Sequence, residues 1–192
     1  MVGVLILALG AGGSATVAGA GSSALPAPEV SVTGRGGTKV SIKDSNAAKL
    51  RLARQGLKID GQFTDDAANC AEHAYGQVRT FLEERPCTAL HRAQFEVRDR
   101  KGDVILVAIS WVQMPDEASA MALHRLVDTH GTGNVTELSR DEGRYRTVRY
   151  TGDFYASRRD GRVVVNAQAQ PVARGTSGLV LTSIVTHAIR CS

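Results

Sequence analysis

Three cysteines, Cys70, Cys87 and Cys191, and five histidines, His73, His91, His124, His130 and His187, are the side chains best suited to chemistry in this 192-residue sequence. Cys70-x2-His73 and Cys87-x3-His91 have zinc-like spacing. Cys87 with His91 also has the composition of a thiol nucleophile and its base. Three cysteines in an oxidising compartment suggest instead one disulfide and one remaining thiol, so all three are staple candidates. Continuous helix over residues 71–84 would rise about 21 Å, far beyond the 4.4–6.8 Å between Cα atoms that a disulfide spans. That favours Cys191, at the end of the last helix, as partner to one of the others. The 70–87 pair requires a helix that starts late, near Gly76, with the preceding residues folded back. The same separation argues against zinc, and neither a metal nor a cofactor is expected.

Other catalytic constellations are missing: there is no G-x-S-x-G elbow, H-E-x-x-H, C-x-x-C, Walker A or calcium loop. Gly131-Thr132-Gly133-Asn134 comes nearest to a phosphate loop, but it lacks the further glycine and lysine and follows a helix. An ordinary turn from helix to strand explains it more simply. A nonstandard hydrolase or transferase site would lie in the loop Thr129–Val135, near His130 and Asn134. Asn134-Val135-Thr136 also fits the glycosylation pattern.

Residues 140–162 are the most distinctive surface. Arg140, Arg144, Arg146, Arg149, Arg158, Arg159 and Arg162 face Asp141, Glu142, Asp153 and Asp160, a local excess of three positive charges, with Tyr145, Tyr150, Phe154 and Tyr155 interleaved. Arginine beside aromatic rings on a sheet can grip phosphates, anionic wall polymer or lipid headgroups. Arg144, Arg146, Arg149, Arg158 and Arg159 are therefore the candidate anion- or partner-binding residues. The plainer reading is a solvated strand face with a charged tip. Asn166, Gln168 and Gln170 alternate on one face of the next segment and would give such a groove a polar floor.

These residues need elements to hold them. Ser45 opens a short helix over 46–55, ended by Gly56. Thr64-Asp65-Asp66 has the residues of a helix start, and Ala71, Ala74, Tyr75, Val78, Phe81 and Leu82 continue at helical spacing to Pro86. Ala93, Phe95 and Val97 alternate with Gln94, Glu96 and Arg98, predicting a strand with one wet face. Val104–Val112 is apolar on both parities, as in a central strand covered on two sides. Pro115 and Asp116 open a helix carrying Ala118, Ala122, Leu123, Leu126 and Val127. Residues 145–150, 154–157 and 162–169 read as strands, and a last helix starts at Thr176 or Ser177. The order helix, hairpin, helix, antiparallel strands, helix predicts an α+β fold, an antiparallel sheet with helices packed mainly on one face.

No charged residue precedes Glu29. The apolar run Val2–Leu9, followed by small residues and Ala18-Gly19-Ala20, predicts a signal peptide or membrane anchor over 1–28. Residues 29–63 read as a linker and lead-in, with a small hairpin about Gly34–Gly37, and 64–192 as one globular domain. Apolar residues at 43% and charged residues at 22% exclude wholesale disorder and fibrous repeats. A net charge of +4 is too mild for a nucleic-acid binder.

On Asn69–Gly76, Pro86-Cys87, Gly131–Val135 and Ser157–Gly161, the chain resembles exported or membrane-associated proteins of actinobacteria that have no assigned function. The resemblance covers about 69–171 and implies an envelope location, with no active-site residue to carry over. The expectation is a non-enzymatic binding or sensor-like domain outside the cytoplasm, whose partner is an envelope component or a membrane protein.

Overall fold

The doubly apolar run becomes the middle strand of five, because only a central position covers both of its faces. The computed structural model describes residues 42–141, 143–173 and 175–190. The expected leader, the hairpin about Gly34–Gly37 and Cys191 lie outside them. Helix α1 (Ile42–Arg54) leads into β1 (Lys58–Ala67), then a 3-10 turn (Ala71–His73), α2 (Gly76–Glu84), β2 (Ala89–Arg98) and β3 (Val104–Gln113). Next come α3 (Glu117–Val127), a 3-10 turn (Leu138–Arg140), β4 (Tyr155–Asp160), β5 (Val163–Pro171) and α4 (Gly178–Ala188). The strands form one antiparallel sheet in the order β1-β2-β3-β5-β4. The α+β class and the antiparallel sheet are those expected.

Side chains alternate across each strand, so each face has its own cover. One face carries Ala93, Phe95, Val97, Ile105, Val107, Ile109, Trp111, Val165 and Ala167. It packs against Ala48 and Leu52 of α1 and Leu181, Ile184, Val185 and Ala188 of α4. On the other face, Leu90, Val112 and Val164 pack beneath Val78 and Leu82 of α2 and Ala120, Leu123 and Val127 of α3. Helices thus cover all of one face, and a second pair covers one end of the other. Each buried Leu, Ile or Val contributes roughly 1.5–3 kcal/mol.

Two segments depart from their expected form. Residues 42–63 are not a lead-in to the body but part of it, since α1 and Leu57 lie in the core. Thr64-Asp65-Asp66 starts no helix and instead extends β1. Its acids meet cross-strand partners there: Asp65 Oδ2 accepts from Arg92 Nη2 at 2.7 Å, and Asp66 Oδ1 lies 2.7 Å from His91 Nδ1. Such pairs stabilise an antiparallel register.

Helix α2 accordingly starts late. Its N-cap, Tyr75, offers no capping side chain. The backbone carbonyl of Thr132 does the capping, accepting from Gln77 N at 2.7 Å and Val78 N at 3.3 Å. The Gly131-Thr132-Gly133-Asn134 turn therefore caps a helix rather than cradling a phosphate. Gly76 and Gly133 sit where the two segments of the chain cross, with φ of +64° and +100°. Late initiation brings Cys70 and Cys87 within 6.1 Å between Cα atoms, and they form a disulfide. That pairing replaces the favoured link to Cys191 and removes both thiols from the zinc and nucleophile alternatives. No described helix is long and apolar enough to cross a membrane.

Candidate functional site

Away from α2 and α3, the second sheet face turns polar in register. One row across the strands reads Asp65, Arg92, Ser110, Asn166 and Ser157; the next reads Phe63, Gln94, Ala108, Gln168 and Tyr155. Among the described residues no α-helix lies over the centre of these rows, although α3 reaches Ser157 at the β4 end. Residues 134–141 and 143–153 lie over them, and their side chains replace a sheet ladder with a polar lattice. Asn134 Oδ1 accepts from Asn166 Nδ2 and from Val135 N. Glu137 Oε1 accepts from Gln168 Nε2 at 3.1 Å, and the Tyr150 hydroxyl accepts from Gln94 Nε2 at 2.8 Å. Residues 145–150, expected as a strand, make a turn and an irregular stretch because these side chains bond downward onto the sheet. For the same reason Gln94 and Glu96, expected to be wet, are only 4% and 5% exposed.

Burial without full charge compensation shapes the site's electrostatics. Desolvation holds the Glu137 carboxyl above the ordinary glutamate range, outweighing Arg140 and the Gln168 bond. The Tyr150 phenol is pushed well above its ordinary value by burial. Arg92, 3% exposed, is neutralised by Asp65 and Asp141 and also donates to the Thr136 carbonyl at 3.1 Å. A cavity of about 20 Å³, near the size of one water, remains between Arg92, Asn134, Glu137 and Gln168.

Two larger openings flank the lattice. The first, about 370 Å³, opens between β1, β2 and the loop, bordered by Asp60, Phe63, Glu96, Ser139, Arg144 and Tyr145. Its floor is Glu96 Oε1, which accepts from Arg144 Nη2 and from the Tyr145 hydroxyl at 2.9 Å. The guanidinium of Arg144 lies 5.0 Å from the centre of the Tyr145 ring. Ser139 Oγ is buried beside the Tyr150 hydroxyl. Asp60 is held below its usual range by hydrogen bonds from Arg98 and then Lys58.

The second opening, about 310 Å³, is bordered by Asp128, His130, Gly131, Asn134 and Tyr155. The loop named for a nonstandard enzyme thus does border a cleft. His130 is exposed, however, whereas Asn134 is buried and its carbonyl oxygen is already occupied. Burial likewise withholds the Asn134-Val135-Thr136 pattern from glycosylation in the folded chain. Beside the cleft is a cluster the sequence reading missed. Ser157 Oγ donates to Asp128 Oδ1 and lies 2.9 Å from His124 Nε2, and the same nitrogen is 3.4 Å from Asp128 Oδ2. Serine and aspartate meet one ring nitrogen, whereas a triad needs the aspartate on the far nitrogen. The cluster ties the last turn of α3 to β4. His124 and Asp128 stand four apart on one helix face, which was readable; Ser157, on another strand, carried no local signal.

The five candidate arginines do not form one surface. Arg144, Arg146 and Arg149 belong to the loop, and Arg144 is engaged with Glu96. Arg158 and Arg159 are on β4 at the far edge of the sheet. Arg158 bonds the Ile189 carbonyl and Asp160, and Arg159 the Gly161 carbonyl. Among the described residues no three metal-ligating side chains are grouped. No family model, no curated protein and no solved structure matches this chain.

Proposed function

We propose that this chain is a non-catalytic binding domain that works outside the cytoplasm, secreted or anchored by its amino-terminal segment, and holds a cell-envelope component. The observation that carries the reading is the 370 Å³ opening over Glu96. It joins exposed aromatic surface at Phe63 to buried polar groups, the composition of a small-ligand site. Export is supported by the Cys70–Cys87 disulfide, which belongs to an oxidising compartment, and by the charge-free first 28 residues.

Fractionation of the native host should recover the full chain outside the cytoplasmic membrane with Cys70 and Cys87 oxidised. Native mass spectrometry of that material should show a bound small molecule that Phe63→Asp removes. Recovery in the cytosol with both thiols reduced would overturn the compartment. A bound molecule unaffected by Phe63→Asp would overturn the site.

The second reading is a hydrolase or transferase acting at the 129–135 loop, favoured by the cleft that Asp128, His130 and Asn134 border. Turnover of ester or glycoside substrates by the wild type, lost in His130→Ala, would establish it.

A further inference from the structure

The first opening already holds a cation of the chain's own. Arg144 is 68% exposed along its side chain, yet its guanidinium reaches back onto Glu96, which is 6% exposed. Tyr145 supplies both a second donor to that carboxylate and a ring beneath the guanidinium. Charge-assisted bonding to a carboxylate with an aromatic face beside it is how organic cations are recognised. Glu96 and Asp60 are fixed on strands β2 and β1, whereas Arg144 sits on a loop without regular structure. Of the groups in this opening, the arginine is the one free to leave. A buried carboxylate cannot be left bare without a large desolvation penalty, so whatever displaces Arg144 must bring a positive charge.

Resting on the binding-domain reading above, we infer that the opening over Glu96 takes a small organic cation, a primary amine or guanidinium on an apolar body, that displaces Arg144. The cation takes the arginine's place on Glu96, while the apolar body lies against Phe63, Leu138 and Tyr145. A free anion that displaced Arg144 would face the Glu96 carboxylate, while Asp60 is already paired with Arg98 and Lys58.

The test titrates the full chain with 4-phenylbutylamine and, as the anionic counterpart, 4-phenylbutyrate, by isothermal calorimetry. The amine should bind the wild type, and Arg144→Ala should bind it at least about tenfold tighter, because the internal competitor is gone. Glu96→Gln should weaken it by tenfold or more. Phe63→Ala, at an exposed position that leaves the core intact, should weaken it several-fold even if Glu96→Gln does not fold. Equal amine affinity in wild type and Arg144→Ala overturns the displacement. Binding of 4-phenylbutyrate in place of the amine, lost in Arg144→Ala, makes the opening an anion site; it overturns this inference while leaving the binding-domain reading standing. Failure of both probes overturns the assigned ligand class, and the native-mass experiment still judges the wider reading independently.

Discussion

Replacing Gly133 with alanine should be among the most damaging changes of a single methyl group in this chain. An added Cβ would stand 2.1 Å from the Tyr75 carbonyl oxygen and 3.0 Å from Gly76 Cα. Relief requires the strands of the crossing to part by roughly an ångström. The left-handed backbone at φ +100° costs alanine about 1–2 kcal/mol. Parting the crossing withdraws the Thr132 carbonyl from the start of α2, comparable to losing a cap, about 1 kcal/mol. It also strains the bonds Tyr75 N to Asn134 O and Thr136 N to His73 O, about 1 kcal/mol each. The total is about 4–5 kcal/mol, a large part of a typical domain stability of roughly 5–15 kcal/mol.

Gly131 is the internal control. Its φ is +83° but a Cβ there meets nothing within 4 Å, so Gly131→Ala should lose only about 1–2 kcal/mol. Urea unfolding followed by the fluorescence of the single tryptophan, Trp111, which is 3% exposed, reads both. Gly133→Ala should lower the midpoint by about 1–2 M more than Gly131→Ala. Equal midpoints for the two variants would refute the claim that backbone contact at the crossing, rather than φ alone, demands glycine.

Three further outcomes are expected. Cys70→Ser with Cys87→Ser opens a loop of sequence separation 17 and should cost about 3 kcal/mol in the same assay; a loss below about 1 kcal/mol would show the link to be incidental. Arg92→Ala leaves the Thr136 carbonyl and the partly exposed Asp65 and Asp141 without their shared cation and should destabilise by about 1–3 kcal/mol, with Arg92→Lys recovering less than half because one ammonium cannot reach two carboxylates and a carbonyl. Burial makes the Glu137 carboxyl hold its proton more tightly in the folded chain than in the unfolded one, so its contribution to stability falls as pH rises from the ordinary value of 4.5 through the raised native one. Glu137→Gln should therefore melt above the wild type at neutral pH and converge with it in acid, and parallel melting curves from about pH 4 to pH 8 would refute the assignment.

What could be read in advance follows from how local each cause is. The β2–β3 hairpin and α4 are written in period, and α3 also in its Asp116 cap (Oδ1 accepting from Ser119 N at 2.7 Å), causes that act within a few positions. The floor of Asn166, Gln168 and Gln170 was visible in period two. Thr64–Asp66 misled because acids before an apolar period mark a helix start equally well as they mark strand charges awaiting Arg92 and His91, partners about 25 residues away. Residues 145–150 misled because alternation cannot distinguish a ladder from side chains that peg an irregular segment onto a sheet. The disulfide depended on a helix start dictated by a carbonyl more than fifty residues downstream. The candidate site is non-local throughout: Glu96 and Arg144 have no sequence relation that would have joined them.

The lattice beneath residues 134–153 gives this stretch an unusual modularity. It is held at Asn134, Glu137, Asp141, Tyr145 and Tyr150 by hydrogen bonds and ion pairs to strand side chains, so positions between these anchors, such as Arg146 and Thr147, are exposed passengers. Passengers can be exchanged there while the anchors keep the scaffold unchanged, as in a loop clipped to a rigid frame.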